Sequence, residues 1–141
     1  MTKPIKQISI FVGNTPGALA GISEVLKKCN INLTAFNLAE NSEFGILRII
    51  VEDPEKAIEA LSNHNIVVRT TDVVGIKIKD EPGALIDASR ELGKAGINIQ
   101  YAYAFALPHG SAVMFIRVAD PVKAIEILEK AGVEVTEKTA I

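Results

Sequence analysis

A single cysteine, Cys29, leaves the chain unable to close an internal disulfide. A lone thiol fits a reducing compartment. An excess of charge of one sign is missing as well. The net charge is −2, which favours neither nucleic acid nor an anionic membrane as partner. No stretch approaches the ~20 apolar residues of a membrane helix. The opening Met1-Thr2-Lys3-Pro4-Ile5-Lys6-Gln7 lacks the apolar core of a signal peptide. A soluble, cytoplasmic protein is expected. Catalytic signatures are also lacking: there is no Gly-x-x-x-x-Gly-Lys-Ser/Thr loop, Gly-x-Ser-x-Gly elbow or His-Glu-x-x-His helix. His64 and His109 have no Cys, Asp or Glu partners at ligand spacing, so neither a metal nor another cofactor is expected.

What is present is an ordinary globular mixture, 48% apolar and 23% charged over 141 residues, written twice. Thr15-Pro16-Gly17-Ala18-Leu19 returns as Glu81-Pro82-Gly83-Ala84-Leu85, 66 positions later. Ile31-Asn32-Leu33 returns as Ile97-Asn98-Ile99 at the same offset. Asp53-Pro54-Glu55-Lys56-Ala57-Ile58-Glu59 returns as Asp120-Pro121-Val122-Lys123-Ala124-Ile125-Glu126, at an offset of 67. The slip of one residue falls between Asn41 and Ile46, where a hairpin turn is expected. The expected domains are 1–70 and 71–141. No Gly/Ser-rich or Pro-rich linker separates them, and a domain of about 70 residues buries only some 60% of its unfolded surface. Two copies packed together are therefore expected.

Within a copy, Ile8, Ile10 and Val12 alternate with Gln7, Ser9 and Phe11, as in a strand; Val74, Ile76 and Ile78 repeat the pattern. Thr15 suits the N-cap of a following helix and Pro16 its first position. Ala18, Ile22, Val25 and Cys29 make its buried stripe, matched by Leu85, Ala88, Leu92 and Ala95, with Gly96 as the stop. Cys29 reads as a small core residue. Strands near 31–39 and 45–51 form a hairpin, as do those near 97–107 and 112–118, the latter turning at Pro108-His109-Gly110. Asp53 and Asp120 cap second helices near 54–63 and 121–131, and short strands near 65–70 and 133–137 close each copy. The fold class is α+β: a ferredoxin-like βαββαβ sandwich in two tandem copies. In the second hairpin Tyr101, Tyr103 and Phe105 alternate with Ala102, Ala104 and Ala106. Neither row resembles a charged solvent face, so burial by a partner, with a homodimer as the natural form, is expected.

The segment before each first helix carries the functional signal. Helix starts expose unpaired N–H groups at a positive dipole end, where a carboxylate is a natural guest. Gly17 and Gly83 permit close backbone approach. Asn14 and Asp80 supply an acceptor for an ammonium group. Together these are the needs of a free α-amino acid. Asn32 and Asn98, at the second-strand entries, offer both donor and acceptor, and reach the loops only across an interface between copies. The bland alternative is that all of these are ordinary turn, cap and edge residues.

The twofold Asn14/Asp80-x-Pro-Gly-Ala-Leu loop, the Ile31-Asn32-Leu33 and Ile97-Asn98-Ile99 entries and the βαββαβ order resemble the ACT domain family over nearly the whole chain. The resemblance implies a non-enzymatic regulatory module that binds an amino acid where domains pair. It also implies ligand contacts from Asn14, Thr15, Gly17, Ala18, Leu19 and Asn32, and from Asp80, Glu81, Gly83, Ala84, Leu85 and Asn98. The implied partners are a free amino acid and a regulated enzyme or regulator. Neutral Asn14 against anionic Asp80 predicts unequal sites, with the Asp80 site holding ammonium more strongly. Three competing readings remain. A ligand-free dimerisation module needs only the architecture. An acylphosphatase-type hydrolase needs an arginine in the loop, and neither copy has one. RNA binding needs paired exposed aromatics with basic residues; Phe11 and Phe36 are present without a basic cluster.

Overall fold

The computed structural model describes residues 1–40 and 44–137. The first repeat runs β1 (Ile5–Gly13), α1 (Ala18–Lys28), β2 (Leu33–Glu40), β3 (Phe44–Val51) and α2 (Pro54–Asn63). The long strand β4 (Val68–Lys79) ends the first repeat and begins the second. The second continues with α3 (Ile86–Lys94), β5 (Tyr101–Ala106), β6 (Ser111–Arg117), α4 (Pro121–Lys130) and β7 (Val135–Thr136). Among the described residues the chain divides into one compact unit of Lys6–Thr71 and another made of Met1–Ile5 with residues 72–137. The boundary thus falls inside β4, which explains the missing linker: the join is itself a strand. The start of the chain belongs to the second unit, where the Thr2 N–H donates to Glu129 Oε1 at 3.2 Å and the Lys3 N–H to Glu137 Oε2 at 2.9 Å.

Each unit is the split βαβ arrangement built on antiparallel pairing. In the first, β3 lies between β1 and β2, with Ile8 opposite Ile49 and Leu38 opposite Leu47. In the second, β4 pairs β6 and β7, and β6 pairs β5. The helix-facing side of each sheet carries a core cluster, and Gln7, Ala35 and Ile50 in the first unit and Val73, Val113 and Phe115 in the second are buried on the other face. Ile8, Ile10, Val12, Leu47, Ile49 and Val51 pack under Leu26 of α1 and Ala57 and Leu61 of α2. Val74, Ile76, Met114 and Ile116 do the same under Leu92 of α3 and Ile125 and Leu128 of α4. Each such aliphatic side chain contributes roughly 1.5–3 kcal/mol relative to exposure.

The second helices start as their sequences imply. Asp53 Oδ1 accepts the Lys56 N–H at 3.2 Å and Asp120 Oδ1 accepts the Lys123 N–H at 3.1 Å, with proline first in each helix. Asp53→Ala and Asp120→Ala should each lower stability by about 1 kcal/mol in urea denaturation. No loss in either would remove the capping role.

The first helices start later than expected. Thr15 does not cap α1; Gly17 stands at its N-cap with φ 87° and no side-chain cap bond. The Thr15 carbonyl instead accepts the Ala18 N–H at 3.3 Å, closing a turn with Pro16 second and a left-handed glycine third. Those are the residues and hydrogen bond of a type II turn, so Pro16 belongs to the turn and not to the helix. The second repeat does the same, with Ala84 N–H to the Glu81 carbonyl at 3.2 Å and Gly83 at φ 84°. Leu85 therefore precedes α3 and is exposed, as is Ala95 at its C-cap, leaving Ala88 and Leu92 as the buried stripe. Gly96 has the expected left-handed stop, φ 74°. The expected register slip between Asn41 and Ile46 falls on a connection whose residues 41–43 lie outside the described residues; Glu40 pairs Gly45 across it.

The edge strands differ from expectation. β2 and β5 stand at sheet ends. Phe36, Leu38 and Glu40 lie opposite Ile49, Leu47 and Gly45, on the helix-facing side. The helices do not reach them, and Phe36 remains 59% and Leu38 47% exposed. In the second repeat Ala102, Ala104 and Ala106 hold that row and are exposed, while Tyr101 and Tyr103 are half-buried, Tyr103 beside Phe115 at 5.5 Å. Phe11 lies on the other sheet face from Phe36, edge-on to Phe44 at 5.5 Å with the Arg69 guanidinium 5.7 Å from its ring centroid. Phe11 and Phe36 therefore cannot form one stacking platform.

Candidate functional site

Strand β1 ends at Gly13, the Thr15–Ala18 turn reverses the chain, and α1 leaves from Gly17. The turn occupies the Ala18 N–H. Among the described residues no acceptor engages the Leu19 or Ala20 N–H, the orphan donors of a helix start. A hollow of about 270 Å³ opens beside this turn. Its walls are Val12, Gly13, Asn14, Thr15 and Leu19 from the turn side, and Leu38, Glu40 and Gly45 from the β2–β3 hairpin. Among the described residues neither the Asn14 amide nor the Glu40 carboxylate has a hydrogen-bond or ion-pair partner. The hollow thus sets apolar walls from Val12, Leu19 and Leu38 against polar ones from Asn14, Thr15 and Glu40.

Asn14, Thr15 and Leu19 come together in this hollow, whereas Gly17 and Ala18 form the backbone behind it. Asn32 does not join them. It follows the end of α1 and lines separate clefts with Asn30 and Ile31. In the second repeat Glu81, Gly83 and Ala84 line a larger cavity of about 670 Å³ that runs along α3 to the residues after α4, with Lys77, Asp87, Glu91 and Glu134 on its walls. Asp80 and Leu85 are not on that wall, and Asn98 lies in the segment before β5. The Asp80 N–H donates to the Gly110 carbonyl at 2.8 Å, which ties the Pro108–Gly110 turn to the loop. His109, left-handed at φ 68°, sits in that turn. The two repeats therefore share a turn but not the hollow beside it.

Leu38, Glu40 and Gly45 were not among the residues singled out from the sequence. The signal that could have found them is the row Phe36, Leu38, Glu40, which carries a carboxylate where the second repeat has Ala106. Cys29 is half-buried at the end of α1, its Sγ 3.9 Å from His64 Nδ1, while that nitrogen lies 3.0 Å from the Ala60 carbonyl. Among the described residues no group of three or more His, Cys, Asp or Glu is placed to hold a metal ion, and no helix is long and apolar enough to cross a membrane.

The comparisons bear on this architecture. A family model described as the ACT domain pair matches residues 1–140. The chain is similar to protein BT0572 from Bacteroides thetaiotaomicron, with 44% identity and a TM-score of 0.88 over 94% of this chain and 92% of that one. It shares its fold with the regulatory subunit of aspartate kinase from Thermus thermophilus, in a ligand-free form, at 17% identity and a TM-score of 0.63 over 92% and 93% of the two chains. Aspartokinase alpha and beta subunits give 19% identity and a TM-score of 0.60 over 90% and 91%. No curated protein matches the chain.

Proposed function

The chain belongs to the ACT domain pair family, and on that footing we propose that it is a stand-alone regulatory protein that binds a free amino acid beside its helix-start turns. The observation that carries this reading is the first-repeat hollow. A hollow of about 270 Å³ with mixed polar and apolar walls is lined by Leu19, whose helix-start N–H is unpaired among the described residues, and by Asn14, whose amide has no partner among them. The N–H groups suit a carboxylate, the amide oxygen an ammonium, and the Leu19 and Leu38 walls a side chain. A regulatory role is supported by the fold shared with an aspartate kinase regulatory subunit. Regulation requires that the ligand bind two packing states unequally and so shift a surface seen by a partner enzyme or regulator.

The proposed form is a cytoplasmic homodimer. Exposed Phe36 and Leu38 on the edge strand β2 support the dimer, since an uncovered apolar edge invites pairing. The same feature favours the competing reading, a dimerisation module without ligand.

Melting the protein against each of the twenty free amino acids separates the two. The amino-acid reading expects one or a few to raise the melting temperature by a few degrees at concentrations well above Kd. A flat panel would leave only the dimerisation module.

A further inference from the structure

The hollow of the first repeat has a floor made by the absence of a side chain. Gly45 lies inside β3, where extended backbone needs no glycine. A Cβ placed there would stand 3.3 Å from the Ala39 carbonyl oxygen and 3.4 Å from Leu38 Cδ1, closing the space under Leu38. The matching position of the second repeat, opposite Ala106, is Ala112. Glu40, directly across from Gly45, is the last residue of β2 and continues the helix-facing row of Phe36 and Leu38. A carboxylate at the end of that apolar row has no structural partner among the described residues, yet it walls the hollow together with Asn14. The charge is placed differently in the two repeats. The first has neutral Asn14 in its loop and Glu40 on its strand; the second has Asp80 in its loop and Ala106 on its strand.

We propose that Glu40 is the specificity residue of the first-repeat hollow, accepting hydrogen bonds from a ligand ammonium group, and that Gly45 supplies the room for that group. This rests on reading the hollow as an amino-acid site, and it gives the first repeat an anion of its own beside the one that Asp80 offers in the second. A carboxylate–ammonium contact beside apolar walls is stronger than one in open water, and it rejects a ligand that lacks the cation. The ammonium can be the α-group of any amino acid or the side-chain group of a basic one.

Calorimetric titration of the full chain tests this with defined probes. Wild type, Glu40→Gln and Gly45→Ala are titrated with each of the twenty L-amino acids. L-leucine is paired with its 2-hydroxy acid, which lacks the α-ammonium, and L-lysine with L-norleucine, which lacks the side-chain ammonium. Glu40→Gln keeps the shape and removes the charge at an exposed position, so it should fold as wild type does. The expected result is a loss of affinity on the order of tenfold or more for the amino acids that bind. Loss of binding by the 2-hydroxy acid assigns the contact to the α-ammonium; loss by norleucine alone assigns it to the side chain. Gly45→Ala should weaken the same ligands. Unchanged affinity in Glu40→Gln with intact wild-type binding overturns the role of Glu40 while leaving the amino-acid reading standing. Failure of the wild type to bind any probe overturns both.

Discussion

Gly75→Ala is expected to destabilise the second unit by about 3 kcal/mol, near the upper end of the range for overpacking a filled core. Gly75 lies in β4, opposite Thr136 of β7. An added Cβ would fall 2.7 Å from Ile5 Cδ1 and 2.8 Å from the Thr136 carbonyl oxygen. The first obstacle is the end of a side chain that is only 2% exposed and has little room to move; the second is backbone. Ile5→Ala alone should cost about 2–5 kcal/mol as a buried large-to-small change. Combined, the two should cost less than their sum, because Ile5→Ala removes one of the two clashes, while the Thr136 contact keeps the double variant below Ile5→Ala alone. Urea denaturation of the four proteins measures the cycle. Additive losses would mean that Ile5 is not seated against Gly75, and with it the place of the chain start in the second unit would be lost.

The second-repeat ligand is expected at the turn itself, beside Asp80 and outside the cavity that Glu81, Gly83 and Ala84 line, so Asp80→Ala should weaken its binding by about tenfold, the scale of one charge-assisted hydrogen bond partly screened by solvent. Asn14→Ala should cost the first repeat only a few-fold, because an amide is the weaker acceptor and Glu40 shares its hollow. Titration calorimetry resolves the two sites when their affinities differ. Equal losses would contradict the expectation that the Asp80 site holds the ammonium more strongly than the Asn14 site.

The repeat, the element order and the two aspartate caps were legible because each rests on local chemistry: period-two alternation, helical stripes, and Asp before Pro. Thr15 misled for an equally local reason. Thr-Pro ahead of an apolar stripe reads as cap and first turn, but the glycine that follows allows a type II turn, and the helix waits until Ala18. The second wall of the hollow was not legible. Leu38, Glu40 and Gly45 reach Asn14 only through the register of β2 on β3 and of β3 on β1, which no spacing in the chain reveals. The same register separates Phe36 from Phe11, adjacent in an aromatic inventory but on opposite sheet faces. Asn32, expected to reach a loop only across copies, lies within its own repeat in clefts apart from the Asn14 hollow.

The most direct test of the account is a titration of 15N-labelled protein with the amino acid that raises its melting temperature, followed in the backbone amide spectrum. The account predicts saturable shifts concentrated at residues 13–19 with Leu38, Glu40 and Gly45, and at residues 79–85. Saturable shifts confined to other surfaces, with both turns unmoved, would contradict it.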